Sequence, residues 1–285
     1  MKKRLSIVLA VLTTGNAFAL PIGNPAEASI YKNGIYWGYN DPCADLCDSF
    51  SFRLGFYGDY VFNRNLQISG AGIRGNGDAI RNTEIFTNAS YMAVNFCDRV
   101  DLFGTLGASQ LEINTNEISW VFNGHREGTL LTDTTFSWSI GGHASLYEWG
   151  CFTLGIEGQY FQFKPDLTHY INCDGSNEFT VNNQLKYDEW QVGLGLAYEY
   201  YVCDPKFSMI PYVGVKWSGC HLNTDNFRFT PTGSMEEFCI SGLKNNKHWG
   251  WALGLTFSMC DLIGVTAEGR FADEKAFHIR GQMRF

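Results

Sequence analysis

No stretch of this 285-residue sequence offers about twenty apolar residues in a row, which excludes a membrane-spanning helix. Positive charge is also scarce. Lys and Arg number 21 against 29 Asp and Glu, a net charge of −8, and a chain with no basic face is no partner for nucleic acid. Helical periods of apolar residues are few, and no cofactor signature is visible. Two loop Asp–His sets occur, Asp166 with His169 and His221 with Asp225. Neither sits beside a nucleophile motif such as G-x-S-x-G, so they read as solvated side chains and the chain is not read as an enzyme. Cys43-x-x-x-Cys47 supplies two sulfurs with no nearby His, too few ligands for a zinc site.

What is present is aromatic, glycine-rich and alternating. Hydrophobic residues make up 45% and aromatics 15%, dispersed rather than blocked, with 31 glycines. The last strand sets the pattern. Phe277, Ile279, Met283 and Phe285 share one face; His278, Arg280, Gln282 and Arg284 share the other. A strand greasy outside, charged inside and ending on an aromatic fits the closing strand of an outer-membrane β-barrel. The other end agrees. Lys2, Lys3 and Arg4 precede an apolar Leu5–Leu12 core and an Ala17-Phe18-Ala19 cleavage site, a secretory leader covering 1–19.

Ten segments alternate in this way. They begin near Phe50, Phe86, Val100, Phe136, Phe152, Trp190, Phe207, Trp249, Ile263 and Lys275. Trp190 to Tyr200 spans ten residues, which at about 3.3 Å each and about 40° of tilt rises about 25 Å, the height of an apolar membrane band. Pairing with the next segment sets Phe207 beside Tyr200 and Trp217 near Trp190. The sequence therefore predicts an all-β, transmembrane antiparallel barrel of at least ten strands over 49–285, preceded by an N-terminal periplasmic segment, 20–48. Short turns fall near Cys97, Glu148–Gly150, Cys203–Pro205 and Cys260. Long connections fall at 63–83, 110–134, 164–187 and 219–246. Short turns belong on the periplasmic rim and long loops outside. Ile118–Phe122 and Phe227–Phe229 read as strand extensions or further spanning strands.

Alternation assigns a lumen face. Arg53, Asp59, Glu157, Glu199, Lys216, Glu268, Arg270, Arg280 and Arg284 are pore-lining candidates, with Asp101, His143 and His278 beside them. Taking His as neutral, the set balances at five positive and five negative. Arg270, Arg280 and Arg284 cluster on the last two strands, either as a positive wall favouring small anions or as partners of nearby carboxylates. Inward glycines, Gly141, Gly193, Gly195, Gly214, Gly250 and Gly254, fit an open interior, or bends and tight packing.

Nine cysteines are many for such a barrel. Cys97, Cys151, Cys203 and Cys260 fall at periplasmic turns, with Cys43 and Cys47 on the same side; Cys173, Cys220 and Cys239 fall in outer loops. An oxidising compartment favours disulfides, and the odd total leaves one thiol over. Two patterns compete: pairing within the chain, such as Cys43 with Cys47, and a periplasmic ring that cross-links neighbouring chains.

Several runs resemble the chlamydial major outer membrane porins: Leu20-Pro21-Ile22-Gly23-Asn24-Pro25, Asp41-Pro42-Cys43 with Cys47-Asp48, Phe56 to Arg64, Glu84 to Asn95, Pro211 to Trp217, and the last twenty residues. The resemblance implies a trimeric outer-membrane porin, embedded in outer-membrane lipid. It also implies disulfide links to itself and to cysteine-rich periplasmic proteins that stiffen the envelope. The chain is shorter than a typical member, with trimmed outer loops. The alternative reading is a non-conducting structural or adhesive barrel, since a ten-stranded version leaves little channel.

Overall fold

The computed structural model describes residues 20–31, 50–64, 66–68, 80–115, 128–172, 175–178, 184–203, 207–223, 227–229, 238–240 and 242–285. Ten long strands carry the fold: β1 (Phe50–Arg64), β2 (Ile80–Phe96), β3 (Val100–Thr115), β4 (Thr135–Trp149), β5 (Phe152–Phe163), β6 (Lys186–Tyr198), β7 (Phe207–Asn223), β8 (Trp249–Met259), β9 (Ile263–Phe271) and β10 (Glu274–Arg284). Each pairs antiparallel with its sequence neighbours. The last returns to the first, Arg53 opposite Arg284 and Tyr60 opposite Phe277. Closure leaves the ten-strand wall no edge, which a bilayer requires because lipid satisfies no backbone N–H or C=O.

The alternation produces the two faces. Along β1, Phe50, Phe52, Leu54 and Phe56 are exposed, while Ser51, Arg53 and Tyr57 are buried. The same holds along β7, where Val213, Val215 and Trp217 face out and Tyr212, Lys216 and Ser218 face in. Aromatics gather at two heights. On the turn side, Phe50 meets Phe96 (ring centroids 5.1 Å), Trp149 meets Phe152 (5.6 Å) and Phe152 meets Tyr198 (4.9 Å). On the loop side, Trp138 meets Tyr160 (5.6 Å), Trp190 meets Trp217 (5.6 Å) and Trp251 meets Phe271 (5.8 Å). Two girdles flanking an apolar band are how such a barrel marks the two interfaces of a bilayer.

The turn side is tight. Cys97 and Asp98 have φ of 53° and 50°, and Cys260 and Asp261 have 57° and 52°. Two successive left-handed residues give the turn whose twist matches that of the flanking strands. Arg99 N donates to Phe96 O at 3.0 Å across the first of them.

The loop side is built up rather than loose. The stretch Gly128–Thr132 adds to β3 and to Leu167–Asn172, which adds to Gly175–Glu178. Leu243–Asn245 joins the end of β7 to Leu66–Ile68. Phe227–Phe229 pairs with Phe238–Ile240 as a small separate hairpin, not as a spanning strand. Ile118–Phe122 lies outside the described residues. These extensions enclose an apolar cluster that includes Val61, Leu111, Phe161, Phe163, Tyr187 and Leu222.

Two sequence expectations shift. β7 runs on to Asn223, so Cys220 sits in a strand, buried in that cluster, and not in an outer loop. Phe207 lies opposite Cys203 rather than Tyr200: the ladder sets Tyr200 against Met209, and an irregularity between Tyr201 and Cys203 adds one residue to the offset. Trp217 lies near Trp190 as expected, ring centroids 5.6 Å apart, although its direct partner in the ladder is Val192.

Candidate functional site

The lumen is occupied by the chain's own N-terminal segment. Residues 20–31 lie inside the barrel, ending in one helical turn, α1 (Glu27–Ile30). The sequence reading placed 20–48 in the periplasm. The structure puts 20–31 within the wall instead, and 32–48 lie outside the described residues. Leu20, Ile22, Asn24, Glu27 and Tyr31 are all buried.

The segment is held at three levels. Nearest the turn side, Glu27 is the hub. Its carboxylate pairs with Arg280 and accepts from Gln282 Nε2, while Arg53 Nη1 approaches it at 3.6 Å. Arg53 also donates to Glu27 O at 3.3 Å and pairs with Asp101. Asn95 Nδ2 donates to Ala28 O at 2.9 Å and to Asp101 Oδ1 at 2.7 Å. Arg53 lies over the Tyr31 ring at 5.3 Å and Arg280 over the Tyr91 ring at 4.8 Å, cation–π contacts.

At mid-height Glu268 grips the backbone. Its two oxygens accept from Ile22 N at 3.0 Å and Gly23 N at 2.9 Å, and Tyr212 OH donates to it at 2.7 Å. Gln191 Nε2 donates to Pro21 O at 2.7 Å and to Glu157 Oε1 at 3.3 Å; Glu157 lies 3.3 Å from His143 Nδ1. The wall is smooth here because it is glycine. A Cβ on Gly195 would stand 3.1 Å from Pro25, one on Gly214 2.9 Å from Ile22, and one on Gly155 2.5 Å from Pro25 O. The inward glycines therefore serve close packing rather than an open interior.

At the loop-side level Leu20 N donates to Glu189 Oε1 at 3.1 Å, and Lys216 Nζ donates to Leu20 O at 3.0 Å. Arg64 binds Glu189 through both terminal nitrogens, 2.7 and 2.9 Å, and Tyr187 OH adds a third bond at 2.7 Å. Beside them Arg270 pairs with Asp59 (2.7 Å) and Glu274 (2.6 Å). Buried charge survives in low dielectric only when paired in this way.

Of the pore-lining candidates, Arg53, Asp59, Glu157, Lys216, Glu268, Arg270, Arg280 and Arg284 all turn inward and are buried. Glu199 does not join them. It stands between β6 and Tyr200 on the turn side, half-buried, its N–H donating to Cys151 O at 2.8 Å. The arginine wall is neutralised: Arg270 by Asp59 and Glu274, Arg280 by Glu27, and Arg284 by Asp98 at 2.9 Å. Glu27, Arg64, Glu189 and Glu274 escaped the sequence reading. Glu189 and Glu274 have the inward parity of Gln191 and His278 and needed only a longer strand. Arg64 turns inward because the register slips between Val61 and Asn63. Nothing in the sequence signals that Glu27 enters the barrel.

Cys97, Cys151 and Cys260 are exposed thiols on separate turns; the side chains of Cys43, Cys47 and Cys203 lie outside the described residues. Among the described residues, no three metal-ligating side chains converge.

The family model of the Chlamydia major outer membrane protein matches this chain over 1–74, 70–127, 114–184 and 171–236. The major outer membrane porin, serovar L3, of Chlamydia trachomatis is 32% identical over 405 aligned residues, covering 100% of both chains. The major outer membrane porin of Chlamydia pneumoniae is 31% identical, covering 96% of each. Among solved structures, the β domain of the Bordetella autotransporter BrkA superposes with a TM-score of 0.43 at 10% identity, covering 83% of this chain and 99% of that one. A closed barrel with an apolar belt and these full-length relatives place the chain in the outer membrane, as a member of the Chlamydia major outer membrane porin family.

Proposed function

We propose that this porin conducts small solutes and ions passively, and that the structure is its closed state, with residues 20–31 as the plug. One observation supports the reading. The plug meets the wall through separable hydrogen bonds, ion pairs and contacts with glycine, so it can leave without breaking the strand ladder. With the plug out, the wall presents Arg53, Glu268, Arg280 and their neighbours to water. The catalytic reading gains no support: Asp166 N donates to Asp133 Oδ1 at 2.7 Å in a loop-side bridge, and Asp225 lies outside the described residues. The test is single-channel conductance of the reduced protein in planar bilayers. Long silences broken by discrete openings that scale with salt are expected. Silence from every folded preparation, the plug-loosening variants below included, would leave the second reading, a non-conducting structural barrel. Complete pairing of the inward arginines favours that one.

The exposed thiols support a structural role alongside conduction. The turns of Cys97 and Cys151 are two strands apart, about 10 Å at strand spacing, beyond the reach of a disulfide. Among the described residues these two thiols do not reach each other, and the partners we propose for them are on other chains: further copies, in a trimer as the family resemblance implies, or cysteine-rich periplasmic proteins.

A further inference from the structure

A cleft of about 220 Å³ opens on the outer face of the loop side, where β6, β7 and the short strand Leu243–Asn245 meet. Trp190, His221, Lys244, His248 and Gln67 line it. The first four are exposed, on the outward side of the wall rather than in the lumen. Its volume is about seven times the ~30 Å³ share of one liquid water, room for a phosphate with its own waters. One wall of it depends on a missing side chain. A Cβ on Gly219 would stand 2.6 Å from the Trp190 indole nitrogen, so the bare backbone lets the indole lie across β7.

The basic groups of the cleft are not spent on the protein. Among the described residues no ion pair takes up Lys244, His221 or His248. Asp188, opposite His221 in the ladder, is held instead by Lys186 Nζ at 2.7 Å and Gln162 Nε2 at 3.0 Å. His248 Nδ1 donates to Ser218 O at 2.9 Å, which fixes the ring. Height decides what could reach these groups. Trp190, Trp217 and Trp249 form a run of indoles, with 5.6 and 6.3 Å between successive ring centroids, that marks the loop-side interface. His221 lies two residues beyond Gly219, the ladder partner of Trp190, and Lys244 is opposite His221. Two residues advance about 7 Å along a tilted strand. The headgroup layer is about 5–8 Å deep on each side of the hydrocarbon, so the cations stand at headgroup height.

We propose that this cleft binds the phosphate of an anionic lipid of the outer leaflet, whose acyl chains run down the apolar faces of β6 and β7 past Val192, Val215 and Trp217. Lys244 supplies the fixed positive charge, His221 an N–H donor, and Trp190 an amphipathic floor between headgroup and chain. Basic pockets beside lipid-facing walls take phosphorylated headgroups in this way. A soluble anion would gain the cations alone. A lipid gains the indole and the apolar belt as well, and diffusion within the leaflet brings its phosphate to the cleft at the right height. The inference needs only the barrel's place in the outer membrane and holds whether or not the lumen opens.

The experiment places the full barrel in phosphatidylcholine nanodiscs doped with diphosphorylated lipid A, or with the same lipid stripped of its phosphates. Lipid retained on the barrel is counted by native mass spectrometry, and inorganic phosphate is added as a competitor in a third arm. The phosphorylated lipid is expected to stay bound and the stripped lipid to be lost. Lys244→Gln is expected to lower the apparent affinity about five-fold, the worth of one lysine beside an anionic headgroup, and Trp190→Ala to lower it by a similar factor. Lys275→Gln, an exposed lysine three strands further round the wall, is the control and leaves retention unchanged. The heat-dependent mobility shift confirms that each variant is folded. Equal retention of the two lipids would overturn the proposal, as would undiminished affinity in either folded cleft variant. Displacement of the lipid by an equal concentration of inorganic phosphate would make the cleft a soluble-anion site and overturn the lipid assignment.

Discussion

At the scale of single residues, Glu27 concentrates the most consequence. It belongs to a four-residue helix outside the strand ladder, yet Arg53, Arg280 and Gln282, on the first and last strands, all converge on it. Removing one member of a buried ion pair strands the other and costs on the order of 3–5 kcal/mol. Glu27→Ala therefore leaves Arg280 without its carboxylate only while the plug is seated, since water solvates the guanidinium once the lumen floods. The cost falls on the closed state alone. Bilayer recordings of Glu27→Ala are expected to show open occupancy rising at least ten-fold, while the barrel's resistance to unfolding in detergent changes little. Arg64→Ala behaves differently. Arg64 belongs to the wall, and its loss leaves Glu189 facing the apolar cluster, so both plug and barrel are expected to weaken, read as a lower unfolding midpoint.

At the scale of the strand, glycine is the operative residue. Gly155, Gly195 and Gly214 give the segment from Ile22 to Pro25 a flat bed with no side chains in the way. Gly195→Val keeps the strand and improves its propensity, but its methyls occupy the space of Pro25. That variant is expected to fold and to conduct without the long closures, whereas an outward change on the same strand, Val192→Ala, leaves gating unaltered. All ten strands were legible in the sequence because period-2 alternation is what a two-faced wall imposes, and the inward charges followed by parity. Legibility failed where local pattern stopped determining position. Parity broke at the Val61/Asn63 slip, strand ends ran past the membrane to Asn223, and Glu199 fell beyond the end of β6. Pro21 to Glu27 carries no periodicity at all. Its place depends on contacts more than a hundred residues away, from Glu189, Glu268 and Arg280.

At the scale of the whole molecule, the two rims differ in kind. The loop side is sealed by strand extensions over an apolar cluster, while the turn side is a rim of short hairpins that carry thiols. Cross-linking is therefore expected to act from the turn side without touching the plug. Replacing Cys97, Cys151 and Cys260 together by Ser is expected to lower the yield of oxidant-induced multimers on non-reducing gels. The heat-dependent mobility shift of the folded barrel and its conductance should stay as they were.

The first described residues and the last strand meet in the lumen. Glu27 is bound by Arg280 and Gln282, which arrive only when the final eleven residues have been made and docked. Until β10 is in place, the segment has half a binding site and the growing barrel stays wet inside. Once β10 closes the ring, the site is whole and residues 20–31 are drawn in. The contact works as a test of completeness: a barrel truncated or misregistered at its end leaves that segment exposed, where a quality-control protease can find it.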